Sequence, residues 1–290
     1  MGKRSKRVRG VDAFNAYYQE VYKDRWERLR ESFSQPKHQV ARVNRFALSD
    51  NESYLEANDI DDRDATCPST GLRYYYLMDL ASIWAACALP LPEKGGEILD
   101  LCAAPGGKSL ILAERMAADA RLTLNELSPQ RRHRLRSVVR DYLPETLQSR
   151  VDVTGHDGSK WGLYHPERYD SILLDAPCSS ERHVYNKAKE LEQFSTSRTK
   201  NLAQRQYALL AAAWQSIKPG GTIVYSTCSI SPKENDGVVK KLVQKKGALV
   251  ASIADDIPGE STDFGTIVLP DISPHGPLYI ARISKPAEAQ

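Results

Sequence analysis

Five side chains able to serve as ligand, base or nucleophile stand at or just past the C-terminal ends of separate predicted strands: Glu126, Asp157, Asp175, Cys178 and Cys228. Ligands of open α/β sheets bind along that edge, so these distant residues are expected to form one site. Cys228 has the setting of a nucleophile. Three residues on, Ser231-Pro-Lys-Glu234 matches a capping box, with Ser231 as N-cap and Pro232 first in the helix. A thiol near a helix N-terminus ionises more readily than a free one, whose pKa is about 8.5. Cys178, rigidly placed after Pro177, is the rival nucleophile.

The second chemical feature is the stretch Glu97 to Lys108. Ile98 to Leu101 predicts a short buried strand, Gly106 and Gly107 a tight turn open to close approach by a ligand, and Ser109 to Met116 a helix. Strand, glycine turn and helix are the layout that holds a nucleoside-containing cofactor. Two common nucleotide loops are excluded. A Walker A loop needs glycine where Cys102 stands, and G-x-G-x-x-G is absent. A second strand, Arg121 to Leu124, ends at Asn125-Glu126, about 20 residues past the glycines, where an acidic side chain can accept hydrogen bonds from ribose hydroxyls.

The elements that must position these groups alternate. After the organising strand and its helix come strand 121–124, helix Pro129 to Tyr142 and strand Val151 to Thr154. Strand Tyr169 to Leu174 and helix Asn201 to Ile217 follow, the latter stopped by Lys218-Pro-Gly-Gly221. Strand Thr222 to Tyr225, helix Pro232 to Lys246 and an edge strand, Leu278 to Ile283, complete the series. This predicts a doubly wound, mainly parallel α/β sheet. Upstream, Tyr74 to Leu89 reads as a helix and Val11 to Phe33 as another, its Phe14, Tyr17, Tyr18, Val21 and Tyr22 recurring at helical spacing. Arg25, Arg28 and Arg30 on that element could face nucleic acid or water. Pro36 to Pro68 is polar and mixed, and the boundary between a small extension (1–70) and the main domain (71–290) is placed near residue 70.

Totals narrow the class. A chain of 290 residues with 41% hydrophobic and 27% charged residues fits one large globular domain with a small extension. No apolar run approaches the ~18 residues of a membrane span, so no membrane association is expected. Net charge is only +3, but Lys3 to Arg9 is a basic tail. The start lacks the apolar region of a secretory signal; a very short mitochondrial presequence stays open. Five cysteines with no C-x-x-C argue against a disulfide framework and against a metal site.

Together, Cys102-Ala-Ala-Pro-Gly-Gly-Lys108, Asp175-Ala-Pro-Cys-Ser179 and Ser226-Thr-Cys-Ser229 resemble the Sun family of RNA (cytosine-5) methyltransferases, in the right order and on the right elements. The resemblance covers roughly residues 70 to 285 and is nearest to the mitochondrial-type small-subunit rRNA branch. Phe14 to Trp26, Tyr75 to Asp79, Asp157 to Gly162, Glu181 to His183 and Gly276 to Tyr279 carry that nearer likeness.

The resemblance implies a seven-stranded Rossmann-like methyltransferase sheet and S-adenosyl-L-methionine as cofactor. Cys102, Ala103, Ala104, Pro105, Gly106, Gly107 and Lys108 would wrap its methionine end, Glu126 hold the ribose, Asp157 sit by the adenine, and Asp175 lie between cofactor and base. The family usually has Asp where Glu126 stands. The implied substrate is RNA, most readily small-subunit rRNA, contacted in part by residues 1–70, with a protein partner for RNA delivery. The implied compartment is the cytoplasm of a bacterium or the mitochondrial matrix. In the implied reaction the Cys228 thiolate adds to C6 of cytosine, Asp175 holds ring N3, and Cys178 serves the release step. A flipped or single-stranded base would be required. Two rivals are a DNA cytosine-5 methyltransferase, whose nucleophile lies in a Pro-Cys dipeptide like Pro177-Cys178, and a non-catalytic RNA-binding factor.

Overall fold

A computed structural model of the chain describes residues 9–48, 54–253 and 257–287; the basic tail up to residue 8 lies outside them. Twelve strands occur among the described residues, in two sheets. Strands β1 (Val40–Val43), β2 (Tyr54–Glu56) and β3 (Tyr75–Met78) form a small antiparallel sheet in the order β2-β1-β3. The large sheet contains β4 (Glu97–Asp100), β5 (Arg121–Asn125), β6 (Val151–Thr154), β7 (Tyr169–Asp175), β8 (Ile217–Thr227), β9 (Leu249–Ala251), β10 (Glu260–Ser261), β11 (Thr266–Val268) and β12 (Leu278–Ser284). Its order is β10-β11-β12-β8-β7-β4-β5-β6, with β9 also on β12. The five strands from β8 to β6 run parallel.

Alternation along the parallel strands explains why both faces are covered. Ile172, Leu174, Ile223 and Tyr225 enter one buried cluster with Trp161, Leu209 and Val239. Leu173 and Val224 enter the opposite one with Leu110, Leu122 and Leu135. A sheet buried on both faces reads as continuous apolar runs, and each such side chain contributes roughly 1.5–3 kcal/mol.

Several expectations are corrected. The large sheet has nine strands rather than seven, because short β9, β10 and β11 line the far side of β12. Residues Leu278 to Ile283 are therefore interior, and their nearly continuous burial suits that place. Tyr74 to Leu89 is not one helix. The bulky Tyr75, Tyr76 and Leu77 favour the extended β3, and the Asp79 side chain then accepts from Ala81 N at 2.9 Å to cap helix Leu80–Cys87. Residues Val11 to Phe33 break at Lys23, where φ is +52°, into helices Gly10–Tyr22 and Trp26–Ser32. The bend brings the Trp26 ring back over Tyr18, 5.2 Å between centroids. Strand β8 extends both ways beyond Thr222 to Tyr225, with Lys218 to Gly221 bulged out between its pairings to Tyr169 and Ser171.

Phe14, Tyr18, Trp26, Leu29 and Phe33 belong to the same buried cluster as Leu99 and Tyr225, so the N-terminal helices share the core of the main sheet. The arginines on this segment are engaged by protein. Arg25 and Arg28 both pair with Asp271, whose side chain is fully buried, and Arg30 approaches Glu27.

Candidate active site

Five loops converge at the C-terminal ends of β4 to β8. After β4, residues 101–106 turn into helix Gly107–Arg115. Gly106 has φ +119°, and a Cβ there would come within 2.9 Å of Val138 Cγ1; at Gly107 it would meet Tyr76 Cε1 at 2.6 Å. The turn is thus pressed between helix Pro129–Tyr142 and β3, and only glycine fits. Asn125 ties the neighbouring strand ends together. Its Nδ2 donates to Leu101 O (3.2 Å) and His156 O (3.0 Å), while its Oδ1 accepts from His156 N (2.9 Å). Beneath the turn, burial pushes the Asp100 carboxyl up to about 7. Ser109 Oγ donates to its Oδ2 at 2.7 Å, and the nearby Asp175 charge adds to the rise.

Glu126, at the end of β5, is buried. Its Oε1 accepts from Ser128 N at 2.8 Å, and its Oε2 lies 3.1 Å from Arg131 Nη1 without hydrogen-bond alignment. Arg131 also donates to Ala104 O, so one guanidinium clasps the glycine turn to the acidic strand end. Asp157, past β6, is exposed. It accepts from Ser159 N (3.0 Å) and Ser159 Oγ (2.8 Å), and the hydroxyl holds its carboxyl below the ordinary value. His156, Asp157, Lys160, Trp161, Tyr164 and His165 line a cavity of about 350 Å³. Cys102 packs against the main core, and burial pushes its thiol up.

Asp175 ends β7. Its Oδ2 accepts from Lys108 Nζ at 2.7 Å and its Oδ1 from Ser226 Oγ at 2.9 Å; Lys108 also donates to Ser82 Oγ at 3.2 Å. Burial pulls the Lys108 ammonium down, but the Asp175 pair outweighs it and leaves lysine above its ordinary value. Lysine is therefore held charged against the carboxylate.

The Cys178 and Cys228 sulfurs are 2.8 Å apart, both free thiols. Ser180 Oγ lies 3.1 Å from Cys228 Sγ and 3.5 Å from Cys178 Sγ. The Cys178 hydrogen bond lowers the Cys228 thiol from its ordinary value and Ser180 adds to this, against burial. The same bond, with burial, raises Cys178. One proton is thus retained on Cys178 and the anion favoured on Cys228.

The expected capping box does not form. Helix Asp236–Lys246 starts at Asp236, the Ser231 hydroxyl bonds Tyr17 OH at 3.0 Å, and buried Glu234 accepts from Ser179 N (3.0 Å) and Gln206 Nε2 (2.8 Å). Glu234 faces inward because distant donors outcompete its own N-cap. The local field at Cys228 comes from Cys178 and Ser180 rather than from a helix end.

The structure brings Lys108, Asp175, Cys178 and Cys228 to one pair of strand ends, and joins Glu126 to the glycine turn through Arg131. Asp157 stands apart, bonded only locally. Asn125, Arg131, Ser180, Ser226 and Glu234 were missed. Arg131 belongs to a run, Arg131, Arg132, Arg134 and Arg136, that by composition alone fits an exposed face, and only its place shortly after Glu126 hints at a partner. Among the described residues no group of three or more His, Cys, Asp or Glu is arranged to hold a metal, and no helix is long and apolar enough to cross a membrane.

Comparison with known proteins bears out the Sun-family resemblance. "5-cytosine rRNA methyltransferase NSUN4" of Bos taurus is 37% identical over 237 residues, 75% of this chain and 61% of that one. The mitochondrial "tRNA (cytosine(34)-C(5))-methyltransferase" of Mus musculus is 33% identical over 226 residues, 74% of this chain and 64% of its own. "Ribosomal RNA small subunit methyltransferase F" of Aeromonas hydrophila is 34% identical over 220 residues, covering 73% and 46%. The chain thus spans less than two thirds of each of these curated relatives. Among solved structures, NSun6 from Pyrococcus horikoshii with SFG superposes with a TM-score of 0.76 at 19% identity, covering 94% of this chain and 97% of that one. A methyltransferase homologue from the same organism gives 0.76 at 22%, covering 94% of both. These two show the Rossmann-like methyltransferase fold. The family model for "16S rRNA methyltransferase RsmB/F" matches residues 87–284, well over half of the sequence, and the chain belongs to that family.

Proposed function

We propose that this protein transfers a methyl group from S-adenosylmethionine to C5 of a cytosine in RNA, small-subunit rRNA being the substrate class, through a covalent Cys228 adduct. The observation that carries the reading is the pair of sulfurs 2.8 Å apart, one favoured as thiolate and one as thiol, next to the Lys108–Asp175 ion pair.

The residues present fit the cofactor. Gly106 and Gly107 let the turn pack tightly at the strand end, and Glu126 Oε2, beside Arg131 but without an aligned donor, is left to accept from a ribose hydroxyl. Cys102 to Lys108 would hold the methionine end, Glu126 the ribose, Asp157 the adenine side, and Asp175 the boundary with the base. When bound, the cofactor supplies an electrophilic methyl group on a sulfonium.

The chain's own part is to make C5 nucleophilic. Addition of the Cys228 thiolate to C6 pushes an electron pair toward N3, which takes a proton through Asp175 from the Lys108 ammonium bonded to it, and C5 gains enamine character; elimination returns that proton. Lys108 keeps Asp175 placed. The bond to the Cys228 anion keeps Cys178 a thiol; once Cys228 is a thioether that hold is gone, Cys178 releases its proton to solvent, takes the C5 proton as thiolate, and the C6–S bond breaks to return the Cys228 thiolate. Residues 1–70 would share the RNA contacts in this reading.

Labelled methyl transfer tests it. RNA should be methylated at cytosine C5 and DNA should not, and Cys228→Ala should abolish incorporation. A Cys228→Ala protein that works at the normal rate, or no transfer to RNA at all, refutes the reading.

A further inference from the structure

Glu181 opens the short helix Glu181–Tyr185, is 1% exposed and touches neither sulfur. Its Oε1 accepts from Ser179 Oγ, from Tyr18 OH and, at 3.0 Å, from Ser229 Oγ; its Oε2 accepts from Ile230 N at 3.1 Å. Ser179 follows Cys178 and Ser229 follows Cys228, and their hydroxyls lie 2.9 Å apart. One carboxylate therefore gathers both cysteine loops and, through Tyr18, the N-terminal helix. Tyr22 OH, donating to Ile230 O at 2.6 Å, reinforces the link to the same loop. A carboxylate is acceptor-only, with about four lone-pair sites, and here it meets four donors; an amide of the same shape would turn a donor toward one of them. Among the described residues no other side chain bonds both loops and the N-terminal helix at once.

We propose that Glu181 is a positioning residue for the reaction: by holding Ser179 and Ser229 it fixes the approach of the Cys178 and Cys228 sulfurs, and the N-terminal helix is locked to that geometry through Tyr18. The kinetic consequence rests on the proposed methyl transfer, whereas the geometric core can be read on the protein alone.

The test uses dibromobimane, which fluoresces only when it joins two neighbouring thiols, and steady-state methylation. The other three cysteines are replaced so that only Cys178 and Cys228 report. Glu181→Gln should lower bridging at least about threefold and kcat about 10- to 100-fold, as a misplacement near 1 Å does, with KM for RNA and cofactor nearly unchanged. Tyr18→Phe, which removes one donor that bonds neither sulfur and tests the idea should Glu181→Gln fail to fold, should lower kcat by about three- to tenfold in the same pattern. Wild-type bridging and kcat in either folded variant, or a loss confined to KM, overturns the proposal. If bridging falls in the variants while wild type transfers no methyl group, the positioning role stands and the proposed function fails.

Discussion

The two halves of the site are built on opposite plans. At the ends of β4 and β5 the contacts leave capacity for a ligand: Glu126 Oε2 lies beside Arg131 without an aligned donor. At the ends of β7 and β8 most polar groups are already bonded to protein, from Lys108 and Ser226 on Asp175 to Ser179 on Glu234 Oε2, while Glu234 Oε1 has no donor. A half meant to receive a ligand keeps open acceptors. A half meant to place a sulfur fixes it beforehand, because reactivity depends on position more steeply than binding does. Substitutions should therefore read out differently in the two halves.

The largest effect belongs to the reactive half. Cys178→Ala removes the proposed base while leaving Cys228 able to add to the ring. Turnover should fall by about 10³-fold or more, as for other members of a nucleophile–base pair. A covalent RNA–protein adduct should accumulate on a denaturing gel. Slow turnover without any adduct would move the Cys178 role to an earlier step, and the sulfur pair would lose its division of labour.

Legibility in the sequence follows the same divide. The glycine turn, Glu126, Asp157, Asp175 and both cysteines are local patterns at strand ends, and strand alternation gave the central parallel sheet. Most of the failures are cases where a distant partner overrides a local preference. Glu234 fits a capping box with Ser231, yet Ser179 and Gln206, 55 and 28 residues away, turn it inward. Leu278 to Ile283 looked like an edge because β9 and β11, which cover it, are only three residues each. Tyr75 to Met78 reads as helix by its apolar content alone, while pairing with Val40 to Val43 makes it a strand.

Glu234 also gives the reactive half a pH signature. Burial, with the Glu181 charge, raises its carboxyl from 4.5 to about 7. A raised folded-state value means the native state binds the proton more tightly than the unfolded one. The resulting stability is full below pH 4.5 and is lost as pH climbs through 7. Urea unfolding should show wild type losing up to about 3 kcal/mol relative to Glu234→Gln between those limits. Asp100, also raised to about 7, titrates in both proteins and cancels. A difference that stays flat with pH would mean that Glu234 is ionised throughout, and the contrast between open and satisfied halves would weaken.

On the ligand-receiving side the effects are smaller and appear in affinity. Glu126→Gln keeps an acceptor for Ser128 N but removes the charge facing Arg131 and one acceptor for the ribose. The dissociation constant for S-adenosylmethionine should rise about tenfold, a cost near that of one charged hydrogen bond, with kcat changed little once the site is saturated. Calorimetric titration measures this. Glu126→Asp, the residue usual in the family, should bind within about threefold of wild type, because the same two bonds form once the backbone shifts slightly. A kcat loss in Glu126→Gln at saturating cofactor would show that the two halves are coupled through Arg131 and the turn.

The smallest effect is expected at Asp157, and it sharpens the comparison because this carboxylate is exposed. Asparagine retains an oxygen for Ser159 N and Ser159 Oγ, so the turn after β6 should survive and only the charge is lost. Water screens a charge at such a position, and exposed polar contacts contribute well under a kilocalorie per mole in most cases. Cofactor affinity should weaken by about threefold at most, with the melting temperature unchanged. Repeating the titration at high salt should shrink even that difference, since screening acts on exposed charges first. A tenfold loss that resists salt would instead require Asp157 to become buried when the cofactor binds, with the cavity lined by Lys160 and Trp161 closing over it, and the receiving half would then be as tightly organised in its bound state as the cysteine loops already are.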